Sequence, residues 1–204
     1  MEDFIFEKPK HGFFDELVSY FASISSLGTN FELQKTGRAE KWLPEHYLTI
    51  EGIKSVTNCE IRFYPHDTLN EISINSWPNK IRLQKAPLTK NIPEHPIVLN
   101  GIQKLHGSMI QSAFIHFYER YVSEVKLKFG ENTMNWPAVW NFGRVIRNAF
   151  AHGGEIKIEN PNSPKVSWSS LEYDSTFNGR NIMYKDITPV ETIFLMDEMD
   201  KQRR

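Results

Sequence analysis

The chain has a single cysteine, Cys59, which rules out an internal disulfide and any zinc site built on several cysteines. A reducing, cytoplasmic setting is expected. No apolar run approaches the roughly 20 residues needed to span a bilayer. The opening "MEDFIFEKPKHGFFDEL" also lacks the basic start, apolar centre and small-residue cleavage site of a secretory leader. The protein is therefore expected to be soluble and unprocessed, with no membrane partner. An excess of one charge is missing too: 24 Lys and Arg stand against 25 Asp and Glu, a net charge of -1. That balance excludes a broad basic face for polyanions, so any contact with nucleic acid has to be local. Repeats and low-complexity tracts are absent. His46, His66 and His95 are scattered among prolines without ligand spacing, so no metal and no cofactor are expected.

Apolar material is plentiful. Hydrophobic residues make up 40% of the 204 positions and aromatic residues 13%, enough for one sizeable core. A single domain over residues 1–204 is expected. Phe13, Phe14, Leu17, Tyr20, Phe21 and Ile24 recur at helical intervals, and Gly28 offers a stop, so a helix is expected over about residues 11–27. About residues 38–96 carry six prolines and short β-prone runs such as "CEIRFY" and "EISINSW"; they read as an irregular insertion of loops and short strands. The longest periodic run, about residues 97–129, has the stripe Ile102, Leu105, Met109, Ala113, Phe117, Tyr121 and Val125, and predicts a long core helix ending at Gly130. Trp136-Pro137 then opens a helix that reaches His152, since proline suits a first helical turn. Beyond it, "KIEN", "KVSWSSLEY" and "NIMYKDI" predict a β-hairpin within about residues 156–187, with Asn178-Gly179 as a turn signal. Thr188-Pro189 starts a last helix, and Arg203-Arg204 reads as a frayed tail.

The chemistry concentrates in "RNAFAHGG", Arg147 to Gly154. At about 100 degrees per residue, Trp136, Val139, Trp140, Gly143, Ile146 and Phe150 gather on one side, and Arg147 falls at the edge of that stripe. A guanidinium cannot be neutralised there, so it must snorkel outward or find an acceptor. Asn148 adds an amide beside it. His152 lies five residues on, about 140 degrees round the helix, and the two glycines after it are a helix stop. The carbonyl end of a helix favours a protonated imidazole, which suits proton transfer near neutrality. Arg144, one turn before Arg147, can extend the positive field toward a second phosphate. At this chain's own composition, the spacing Arg-Asn-x-x-x-His arises by chance about 0.02 times.

Arg147, Asn148 and His152, on the second of two antiparallel helices, resemble the signature of the HEPN superfamily. Its members are small helical-bundle proteins, many of them metal-independent ribonucleases of toxin-antitoxin and other defence systems. The resemblance covers the motif, its helix and the long helix before it. It implies a mainly α fold, an antiparallel helical bundle; the short β-strands read mid-chain fall outside the family pattern, and the hairpin after the motif helix is an elaboration of it. It further implies RNA as substrate, Arg147, Asn148 and His152 as catalytic residues, a homodimer in which two motifs face each other, and a cognate antitoxin as a further partner; Arg144, outside the motif, is expected from its position to assist in substrate binding. The chemistry implied is attack of the RNA 2'-hydroxyl on the adjacent phosphorus, with His152 moving the proton, Arg147 stabilising the phosphoryl oxygens and Asn148 orienting an oxygen or the imidazole. Because Arg147 and His152 diverge around one helix, a single chain presents them poorly, which agrees with a shared site.

Two other readings stay open. The same cleft could belong to a non-catalytic module binding RNA, nucleotide or a protein partner. Arg147 could also simply pair with a core-edge carboxylate such as Glu119 or Glu124, with His152 capping a helix in a scaffold that never meets nucleic acid.

Overall fold

In "EDFIFE" the residues Phe4 and Phe6 alternate with Asp3 and Ile5, the period of a strand with one apolar side. The computed structural model, which describes residues 2–88 and 101–204, makes this segment strand β1, Glu2–Glu7. It pairs antiparallel with β4 (Lys80–Pro87), which pairs with β3 (Cys59–Phe63), which pairs with β2 (Leu48–Glu51). The order is β1-β4-β3-β2. Phe6, Ile61, Phe63, Ile81 and Leu83 fill the buried face. On the opposite face Asp3 accepts from Arg82 and Gln84.

The sheet changes two expectations. The strands are not an insertion confined to the middle of the chain, because the N-terminal segment supplies one edge, and the fold is mixed α/β, with five helices and a small antiparallel sheet among the described residues. "EISINSW" is not a strand either. Its first three residues complete helix α2, Pro65–Ser73, and Asn75 turns the chain at φ 60°. Pro65 in the first turn starts that helix, where a missing N–H is no loss. "CEIRFY" does supply β3, as expected.

Helix α1 spans Phe14–Thr36 and runs through Gly28, nine residues past the expected end at residue 27. The stop is Gly37, left-handed at φ 71°, whose N–H donates to the Leu33 carbonyl at 2.8 Å. The next helix, α3, covers Gly101–Phe129 and ends at Gly130; its expected start at residue 97 lies outside the described residues. Helix α4 is Ala138–Ala151 and α5 is Pro189–Arg203. Thr188 and Glu191 form a capping box at the start of α5, as Thr188-Pro189 foretells.

Helix α3 packs against α1, α4 and α5. Helices α4 and α5 approach closely: a Cβ on Gly143 would stand 2.5 Å from the Met199 sulfur, and the Trp140 indole donates to the Met199 carbonyl at 2.8 Å. The hairpin is shorter than expected, β5 (Val166–Trp168) with β6 (Leu171–Tyr173), joined at Ser169-Ser170 with Ser169 at φ 53°. It packs on α4 through Phe142, whose ring lies 5.8 Å from Trp168 and 5.5 Å from Tyr173. "NIMYKDI" makes only isolated bridges, Asn181 to Glu155 and Met183 to Ile187, and "KIEN" forms no strand or bridge. Asn178-Gly179 does form a turn, closed by Arg180 N–H to Phe177 at 2.9 Å, but it leads back to Ile156 and joins no two strands. No helix among the described residues is long and apolar enough to cross a membrane.

Candidate functional site at the end of α4

Trp140, Val145, Ile146, Ala149 and Phe150 turn α4 into the core. That choice of face leaves Arg144, Arg147 and Asn148 half-buried along the stripe edge and His152 exposed past the last turn. The helix ends as the glycine pair dictates. His152 is the C-cap, Gly153 and Gly154 have φ 71° and 89°, and the Gly154 N–H reaches the Ala149 carbonyl at 2.8 Å. This is a Schellman closure, which lets the chain leave with His152 outside the body of the helix.

Arg147 is fully engaged. Its Nε and Nη2 both donate to Glu119 Oε1 on α3 at 2.6 Å, and its Nη1 donates to Asn148 Oδ1 at 3.2 Å. Of the two carboxylates that the sequence offers this arginine, Glu119 is the partner; Glu124 is taken by Arg203. Antiparallel packing of α3 on α4 makes that choice, and spacing along the chain carries no signal for it. Arg144 has the opposite character. It makes no hydrogen bond or ion pair among the described residues, and its Nε is buried without a partner. Tyr118, on α3 beside Glu119, is held up at about 12 by burial, against the lowering pull of the Arg144 and Arg147 charges. Both guanidinium groups therefore act on one α3 side chain. Tyr118 has no place in the sequence reading, because the stripe read on that helix passes through Phe117 and Tyr121 and leaves Tyr118 out.

The four predicted residues are thus only partly brought together. Arg147 and Asn148 touch, and Arg144 sits one turn back. His152 lies about 7.5 Å further along the axis and shares no hydrogen bond with them; among the described residues its ring has no hydrogen-bond or ionic partner.

Other cations seen in the sequence are committed elsewhere. Arg180, just past the Asn178-Gly179 turn, holds Asp186 through Nε and Nη2 at 2.7 and 2.6 Å, which ties down its loop. Arg203 is no frayed tail: it is the last residue of α5, bound to Asp200 and Glu124. His66 bonds Asp67 and Asn70, His46 accepts from the Leu43 N–H, and His95 lies outside the described residues. No group of three or more His, Cys, Asp or Glu among the described residues is placed to hold a metal ion. Comparison with known protein families, with curated proteins and with solved structures finds no match for this chain.

Proposed function

We propose that the chain is a HEPN-like, metal-independent endoribonuclease of the defence or toxin-antitoxin type, working as a homodimer with Arg147, Asn148 and His152 at the shared site and Arg144 as an added phosphate contact. The observation that carries this reading is the end of α4 itself, where a guanidinium oriented by an amide, a second cation with no acceptor among the described residues and an exposed imidazole follow one another within three turns. A phosphodiester transfer through the 2'-hydroxyl needs a proton carrier and cations aimed at the phosphoryl oxygens, and these side chains are of that kind. Because Arg147 and His152 stand about 140 degrees apart round an ideal helix, the arginine of one protomer would serve the histidine of the other.

Incubation with total RNA in EDTA tests it. Wild type is expected to leave 2',3'-cyclic phosphate ends and to spare DNA, while His152→Ala loses turnover with the fold retained. Cleavage of DNA, or equal activity in the variant, would reject the mechanism. A second reading, a non-catalytic module that binds RNA, nucleotide or a protein through the same surface, is favoured by one feature: all three nitrogens of Arg147 already have protein acceptors. That reading expects RNA to bind and remain intact.

A further inference from the structure

Glu119 has no part in the proposed chemistry, yet it occupies the edge of Arg147 best suited to a phosphate. A guanidinium grips phosphate with two adjacent N–H groups in parallel, and the Nε/Nη2 edge is the one that Glu119 Oε1 fills at 2.6 Å. The third nitrogen, Nη1, is anchored to Asn148. We infer that Glu119 is an internal stand-in for the RNA phosphate at Arg147, and that RNA enters the site by displacing it; the inference rests on reading the end of α4 as an RNA site.

The surroundings make displacement feasible. The Glu119 side chain is 48% exposed against 32% for Arg147, so the carboxylate can rotate into water while the arginine stays held by Asn148 and the helix. An ion pair this wet is weak and easily exchanged. Charge changes in step with occupancy. At rest Arg144 and Arg147 carry two positive charges against one from Glu119; once the carboxylate swings out, an incoming phosphate meets both cations. Arg144, with no acceptor among the described residues, keeps the site attractive even while Glu119 is in place.

The experiment measures binding of a single-stranded 2'-O-methyl RNA, which lacks the attacking hydroxyl, at low salt. Wild type is compared with Glu119→Gln, Glu119→Asp, Arg147→Ala and the Glu119→Gln/Arg147→Ala double variant. Glu119→Gln is expected to tighten binding about two- to five-fold, the size of an exposed ion pair. Glu119→Asp, which keeps the charge but falls short of Arg147, is expected to gain as well. In the Arg147→Ala background the gain should vanish, as a coupled pair requires. Glu131→Gln, two residues past the end of α3 and paired with Lys126, controls for loss of a negative charge as such. Binding by wild type with no gain in Glu119→Gln, or an equal gain with and without Arg147, overturns the inference alone. Failure of both wild type and Glu119→Gln to bind the RNA overturns the RNA reading and the inference with it.

Discussion

Two arginines, each near the C-terminal end of its helix, reach across to glutamates five residues apart on α3. Arg203 of α5 meets Glu124, and Arg147 of α4 meets Glu119. The bonds are alike, 2.7 and 2.6 Å, but the surroundings are not. Arg203 also binds Asp200, a fully buried carboxylate, at 2.6 Å, and lies 3.9 Å from the centre of the Tyr121 ring. Asp200 in turn accepts from the Gly12 N–H, which ties the start of α1 to the end of α5. Arg147 has one glutamate, half in water, and a neighbouring amide. Burial of the counter-ion separates a cation that holds the fold together from one that can be lent to a ligand.

The largest effect follows from the buried partner. Among the described residues, Arg203→Ala leaves Asp200 in the interior with Arg204 at 3.4 Å and one backbone N–H as compensation, and stranding a buried charge costs about 3 kcal/mol or more. Urea unfolding should show that loss. A change below about 1 kcal/mol would mean that water reaches Asp200 once the arginine is gone, and the distinction between the two ends would narrow.

A third pair on α3 sharpens the comparison because its burial is reversed. Arg120 is nearly half exposed and its partner Glu16 is the buried one, bound at 2.6 Å. Burial pushes the Glu16 carboxyl up from its ordinary value, and the Arg120 charge offsets this only in part. The native state then holds a proton on Glu16 at pH values where the unfolded chain has released it. Glu16 therefore contributes stability that is fully present below the unfolded carboxylate range and is lost as pH rises through the raised native value. Glu16→Gln keeps the neutral shape at every pH. Its stability relative to wild type should climb as pH rises above the ordinary carboxylate range, a trend that unfolding curves at several pH values would reveal. A difference falling with pH would mean that Arg120 outweighs burial.

The sequence makes some of this legible. Helix α4 is readable at both ends because Trp136-Pro137 and Gly153-Gly154 are local signals whose backbone demands are met where they stand. Gly28 misleads because a glycine inside a helix costs only about 1 kcal/mol, which the packing of Leu17, Phe21 and Ile24 outweighs. Strand β1 is invisible until β4 is known, since six residues of alternation acquire a face only by pairing. Arg203 looks like a tail because Glu124 is 79 residues away in the chain. The motif residues can be named from sequence; the acid that holds Arg147 can only be narrowed to two, and α3–α4 packing decides between them.

The smallest effect on stability is expected at the residue with the largest proposed role. Arg147→Ala removes one half-exposed guanidinium from one half-exposed carboxylate, and Glu119 keeps its water. Surface pairs of this kind contribute about 0 to 1 kcal/mol, so unfolding should shift by no more than that. Some packing is lost as well, because the arginine stem lies along the edge of the apolar stripe, but the neighbours Ile146 and Phe150 are anchored deep in the core. If the site handles RNA, the same substitution should abolish cleavage while leaving the unfolding curve almost where it was. That combination is what a lent cation predicts and a structural one forbids. A loss of stability above about 2 kcal/mol would instead place Arg147 beside Arg203 as a fastening of the helices, and Glu119 would then be its proper partner, with no phosphate to make way for.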